Sequence, residues 1–315
     1  MNDYKSNKNP DYYGDGIDFR RFLSVLFDGK IIILSVTAFV SILGVIYSLA
    51  LPNIYESKAI LVPVNQSSNI SGSLGNYRSL IGLTGISLPS SGSEGNSEEA
   101  IKKISSLSFF ENNILKKIFL PDLMAIKSWD SKNNKITYDD SIYSINTNTW
   151  VRNYSFPQRK IPSPQESFEV FRNKHLGLTQ DKISGFISIS IKHESPFLAK
   201  QWTELVINEI NKFYREKDKS KSQKAVNYLN EQIAMTNISE VKIAISQLLQ
   251  EETKKLALIE ANEFYVFEYI DPPVVMEQKS EPKRAIICIL FAFLGGILSV
   301  SFVLVNHYVF KKKSF

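Results

Sequence analysis

Two stretches of this 315-residue chain, 31–51 near one end and 285–306 near the other, carry no charged side chain at all. Each has at least 21 residues, and a helix rising about 1.5 Å per residue covers the roughly 30 Å apolar core of a bilayer with that many. A helix buried in a water-soluble core rarely runs so far without a charge. The pattern therefore predicts two transmembrane helices, one at each end, with the polar 233-residue segment 52–284 between them.

Charge locates the ends. Residues 1–51 hold five basic and five acidic side chains, and 285–315 hold only Lys311, Lys312 and Lys313, so the net charge of +5 leaves the middle nearly balanced at 29 basic against 27 acidic groups. No concentrated basic excess exists to grip nucleic acid, which excludes a nucleic-acid partner. Arg20, Arg21 and Lys30 ahead of the first stretch and the lysine triplet after the second place both termini in the cytoplasm by the positive-inside rule. The triplet suits anionic membrane lipid on that face. Lys279, Lys283 and Arg284 on the opposite flank pull the other way.

Ser48-Leu49-Ala50 resembles a signal cleavage site, but the apolar run is longer than a signal core and follows a 30-residue polar segment, so an uncleaved anchor is expected. The single cysteine, Cys288, lies inside the second stretch, and no intrachain disulfide can form. A large exported domain without a covalent staple relies on its own core or on neighbouring subunits.

Within these bounds the organisation reads as a cytoplasmic tail 1–30, span 31–51, exported domain 52–284, span 285–306 and basic tail 307–315. Residues 1–16 read as disordered. Residues 17–28 suit a short helix, either lying on the membrane surface or extending the span. A strand is expected over 55–64, a Ser/Gly/Asn-rich flexible loop or loosely packed helix over 66–96 around Leu80-Ile81-Gly82-Leu83, and a helix over 97–119 capped by Ser97 with Glu98 and Glu99 in its first turn. Residues 130–153 read as irregular, and 183–191 as the clearest strand. Helical spacing then runs from Phe197 to Asn262, either as one helix of roughly 100 Å or as two antiparallel helices joined near the charged run 215–224. The five-residue step from Ile233 to Ile238 spoils a clean heptad. After a strand over 264–270, prolines keep 271–283 extended. The first and last strands each sit within about a dozen residues of a span, so they should share one membrane-proximal mixed sheet in an α+β fold with a long helical extension.

Enzymatic chemistry finds no foothold. His175, His193 and His307 are scattered with no metal-ligand spacing, and the chain has neither a phosphate-cradling glycine loop nor a Gly-x-Ser-x-Gly elbow. The adjacent pairs Asp139-Asp140, Glu98-Glu99 and Glu251-Glu252 read as solvated faces. No catalytic residue, metal or cofactor is called for.

The two ends carry a pattern. Ile17-Asp18-Phe19-Arg20 and Gly29-Lys30 precede the first span, and Asp271-Pro272-Pro273, Ser280-Glu281-Pro282-Lys283-Arg284 and Gly295-Gly296 surround the second. With Ser108-Phe109-Phe110-Glu111 after the glycine-rich stretch and Tyr265-Val266-Phe267 after the long helices, the chain resembles the Wzz family of chain-length determinants, the polysaccharide co-polymerases that regulate O-antigen length in lipopolysaccharide. The resemblance implies a non-enzymatic homo-oligomer of the inner membrane with a periplasmic domain. It would act with a Wzy-type polymerase and the growing polysaccharide, and its membrane-proximal proline motif would be Pro272, Pro273, Pro282 and Lys283. A membrane adaptor of a kinase-linked capsule or exopolysaccharide export system is the alternative.

Cys288, Ala292 and Gly296 recur every four residues, a small-residue stripe on which, beside Gly295, another helix can approach closely. That helix is expected to be either the first span or a helix of the polymerase.

Overall fold

The computed structural model describes residues 19–64, 93–262 and 264–307. The expected disordered tail, nearly all of the glycine-rich segment and the terminal lysine triplet fall outside them. The chain divides into two compact units, one made of residues 1–51 with 282–315 and the other of residues 52–281.

In the first unit, helix α1 (Phe19–Asp28) leads into α2 (Lys30–Ala50), and α9 (Arg284–Val305) returns beside α2. Gly29 N–H donates to Val25 O at 3.0 Å and Gly29 O accepts from Ile33 N–H at 2.9 Å, so the helical bonding runs through the glycine. The segment ahead of the span is thus a helical continuation of it. Both α2 and α9 are long and apolar enough to cross a membrane, at 21 and 22 residues.

The second unit is built on a four-stranded sheet. Its strands are β1 (Tyr55–Pro63), β6 (Leu176–Gln180), β7 (Ile187–His193) and β8 (Phe267–Asp271), in the order β6-β7-β1-β8. First and last strands are neighbours, as their positions near the spans suggest. Every pairing is antiparallel, however, so the expected mixed sheet is corrected. The turn 181–186 joins β6 directly to β7, a connection too short for the crossover that a parallel pair needs, and the other strands are linked by long excursions that leave their direction to side-chain packing. The expected strand over 183–191 starts late, because Asp181 accepts hydrogen bonds from Ile183 N–H at 2.9 Å and Ser184 Oγ at 2.6 Å and folds those residues into the β6–β7 turn.

Between β1 and β6 lie α3 (Ser93–Ile104), α4 (Leu107–Phe109) with its π-helical and 3₁₀ continuation through Lys117, α5 (Leu120–Met124), two hairpins and α6 (Pro164–Val170). The single helix expected over 97–119 is broken at Ser106, whose Oγ accepts the Phe109 N–H at 3.3 Å and starts a new helix. The region 130–153 is not irregular. It holds β2 (Ile126–Asp130) paired with β3 (Lys135–Tyr138) and β4 (Tyr143–Ser144) paired with β5 (Thr149–Trp150). Strands of two to five residues are too short for alternation to register, and the turns rest on Asn134 and Asn148 at positive φ.

One long helix, α7 (Pro196–Met235, 40 residues), supplies the core with a face. Trp202, Val206, Ile210 and Tyr214 recur every four residues and pack with Leu61, Ile189, Ile191, Phe110, Phe171 and Phe267, all nearly inaccessible to solvent. Each such side chain contributes on the order of 1.5–3 kcal/mol. The helix extends about 60 Å, well past the sheet. It ends at Thr236, and α8 (Ser239–Ala261) folds back along it, pinned by a Lys219–Glu260 ion pair and an Arg215 Nη2 hydrogen bond to Asn262 O at 2.7 Å. The two-helix alternative is the one adopted, but the break falls at Thr236–Ile238 rather than at the charged run, which lies mid-helix. The five-residue step from Ile233 to Ile238 marked the turn.

Candidate functional site

The residues singled out in the sequence fall into two groups. The first lies where α2 meets α9. A methyl group built on Gly295 would stand 2.9 Å from Val40 Cβ and 3.3 Å from Thr37 Cα, and one on Gly44 would stand 2.5 Å from Phe291 Cβ. Two glycines, one on each helix, thus let the backbones approach closely. Ser299, fully buried one turn beyond Gly295, donates to Gly296 O at 2.8 Å, which leaves the Thr37 hydroxyl to donate across the helix pair to Ser299 Oγ at 3.2 Å. Sequence reading missed Gly44, Thr37 and Ser299. The signal was present as small residues at four-residue spacing, Thr37 and Ser41 in α2 and Gly295 and Ser299 in α9.

The four predicted residues of α9 separate. Gly295 is in the α2 contact, while Cys288, Ala292 and Gly296 flank it, partly exposed. A methyl group on Gly296 would meet nothing within 4 Å. The register of the packed face is therefore set by Gly295, Ser299 and Val303, one position away from the stripe read from sequence.

The second group lies at the open end of the sheet in the second unit. Ile54 N–H donates to Glu281 O at 3.0 Å, and Ile54 O accepts from Ser280 N–H at 2.8 Å, so the two ends of the unit are clasped together. Lys192 Nζ on β7 bonds Glu281 Oε1 at 2.5 Å, and this contact raises the lysine pKa. Pro273 is buried and Pro272 exposed in the strap that follows β8; the Ser57 hydroxyl donates to Val274 O at 2.8 Å and holds the strap along β1. Pro282 and Lys283 belong to the other unit, where Lys283 O takes the first helical bond of α9 from Ile286 N–H at 3.0 Å. The motif thus marks a clasp and a helix start rather than one cluster.

Near the same sheet end sits a buried polar group that sequence spacing did not reveal. His193 pairs with Tyr55 in register; its Nδ1 accepts the Ser195 N–H at 2.9 Å, so Nε2 carries the proton and donates to Asp122 O at 3.2 Å. The His175 ring lies 5.6 Å away, donating from Nδ1 to Lys192 O at 2.7 Å, and Trp202 packs edge-on against both. Burial holds both imidazoles neutral, pushing His175 down to about 4 and His193 to about 3. Burial likewise raises the carboxyls of Asp122 and Glu194. Among the described residues, no three or more His, Cys, Asp or Glu side chains gather to hold a metal ion.

Residues 15–114 match the family model Wzz, chain length determinant protein. The match covers 100 of the 315 residues, about a third of the chain. It runs from ahead of α1 through the first apolar helix and β1 to Ile114, so the Wzz match joins the span to the sheet. No curated protein sequence matches the chain. Among solved structures, a full-length bacterial polysaccharide co-polymerase is similar at a TM-score of 0.42 and 14% identity, covering 96% of this chain and 100% of its own. A fragment of WzzB, polysaccharide co-polymerase from Salmonella Typhimurium, is similar at a TM-score of 0.29 and 14% identity, covering 73% and 100%.

Proposed function

We propose that this chain is a non-enzymatic scaffold of the bacterial inner membrane that sets the chain length of lipopolysaccharide O-antigen together with a Wzy-type polymerase. The Wzz match over residues 15–114 carries the reading, since it supports regulation of polysaccharide chain length in general. The architecture agrees with it. Two apolar helices bracket one large polar unit, and that unit contains clasps, ion pairs and a packed core. Both termini are read as cytoplasmic and residues 52–284 as periplasmic, from the positive-inside rule.

The helical hairpin supports oligomerisation as part of this reading. Tyr228, Met235, Ile238, Ile243 and Leu248 are each more than half exposed on α7, α8 and the turn between them, an apolar surface that further copies of the chain would cover. Cys288, Ala292 and Gly296 are left beside the α2 contact as a strip of small residues facing outwards from the pair. A polymerase helix fits that strip.

Deleting the gene and separating the lipopolysaccharide by electrophoresis tests the reading. Loss of a preferred length band, restored by the gene in trans, is expected. An unchanged ladder would reject it.

A further inference from the structure

The loop 151–162, between β5 and α6, presents its apolar side chains to solvent. Phe156 is 96% exposed, Ile161 61%, Tyr154 54% and Val151 44%. A loop free to rearrange would fold such groups inwards, and this one is braced against doing so. Arg152 forms a two-pronged ion pair with Glu166 and also donates from Nε to Lys160 O at 3.1 Å and from Nη2 to Arg159 O at 2.6 Å. Pro162 is buried at the base, and Gln158 N–H closes a turn onto Ser155 O at 2.8 Å that puts Phe156 at the tip. The exposed aromatic is held out by design of the loop.

Charge narrows what such a tip can meet. From Val151 to Ser163 the sequence has no acidic residue, and with Arg152 paired the loop keeps Arg159 and Lys160 exposed beside Phe156. Apolar rings flanked by cations suit the boundary between acyl chains and anionic headgroups.

The sequence tethers one end of this unit's sheet to the first apolar helix. Tyr55 is the fifth residue after Ala50, where α2 ends, a leash of at most about 18 Å. The Trp129 ring on β2 lies edge-on against Tyr55 with centroids 5.5 Å apart. The two hairpins share a small core of Ala125, Tyr143 and Trp150, and the loop leaves directly from Trp150. The loop therefore belongs to the subdomain seated on the leashed end of the sheet.

We propose that loop 151–162 is an interfacial membrane anchor, seating Phe156 and Ile161 among lipid acyl chains with Arg159 and Lys160 on anionic headgroups. The inference goes beyond length control and needs only that the two apolar helices span a bilayer, so its failure would leave the length-control reading standing.

The test uses the full chain with Cys288→Ala and an environment-sensitive fluorophore on Ser155→Cys, reconstituted in phosphatidylcholine–phosphatidylglycerol vesicles with or without shallow spin-labelled lipid. The expected result is about twofold quenching by the spin label. It should weaken in phosphatidylcholine alone, and it should be lost in Phe156→Ser/Ile161→Ser and reduced in Arg159→Glu/Lys160→Glu. The reference label is Ile183→Cys, 98% exposed on the β6–β7 turn at the far end of β7, which should not be quenched. Equal quenching at the two positions would overturn the proposal. So would a blue-shifted Ser155→Cys emission indifferent to spin-labelled lipid and retained in detergent, which would place protein against the loop.

Discussion

Asn211 grips the main chain of Phe267 from both sides: its Nδ2 donates to Phe267 O at 3.0 Å and its Oδ1 accepts Phe267 N–H at 2.9 Å. The same Oδ1 also takes Val266 N–H at 2.7 Å. One buried amide on α7 thereby fixes where β8 begins, and β8 leads through the strap to Glu281. Asn211→Leu removes these partners while keeping volume, leaving buried N–H groups unpaired. We expect a loss of about 2–3 kcal/mol in thermal unfolding of the full chain in detergent. A change within about 0.5 kcal/mol would mean water replaces the amide.

The histidine pair makes stability depend on acid. Both imidazoles are held below the ordinary value near 6.5, so between there and about 4 the unfolded chain binds more protons than the folded one. Stability is therefore complete above the unfolded value and is lost as pH falls through that window, by up to about 1.4 kcal/mol per pH unit for each ring. Asp122 and Glu194, raised by burial, oppose it: their contribution is complete below the unfolded carboxyl values near 4 and is lost as pH rises through their folded ones. Lys174 lies close enough to lower both His175 and Glu194. The melting temperature should drop between about pH 7 and about pH 5. His193→Asn, whose Oδ1 can still accept Ser195 N–H, should flatten that drop while lowering stability at neutral pH. An equal drop in the variant would assign the acid sensitivity elsewhere.

Glycines 295 and 296, adjacent in sequence, should behave differently. Gly295→Leu and Gly44→Leu force side chains into Val40 and Phe291 and should cost the α2–α9 pairing about 1–3 kcal/mol. Gly296→Leu meets open space, so the pairing should survive. Under the polymerase-strip reading, Gly296→Leu changes polymer length at normal protein level. Disulfide trapping between cysteines placed at Thr37 and Ser299, whose hydroxyls lie 3.2 Å apart across the pair, read beside the lipopolysaccharide profile, separates the two effects.

These contrasts also show where sequence reading succeeds and stops. The spans were legible because charge is absent over whole helices, and β1 and β8 because β-branched and aromatic runs sit next to them. The identity of the α9 face was not, since Gly295 and Gly296 differ by one position, or about 100° around the helix, and only the facing Val40 decides between them. The β2–β5 hairpins were hidden by their shortness. His175 and His193, 18 positions apart in the sequence, meet because β6 and β7 pair, a long-range fact that no local spacing encodes.

The helical hairpin predicts assembly. Mass measurement of the purified chain in detergent, corrected for the micelle, should exceed 35.8 kDa severalfold. Ile243→Lys/Leu248→Lys should lower it without unfolding the sheet, because both side chains lie about half exposed or more. A monomer of the unaltered chain would contradict the assembly.

The most direct test of length control is transfer. The gene is placed in a bacterium that makes O-antigen but has lost its own chain-length determinant, and the lipopolysaccharide is resolved by electrophoresis. The account predicts that an unregulated ladder becomes a distribution with one preferred length, and that the preference requires both apolar helices. A ladder unchanged at confirmed membrane expression would contradict it.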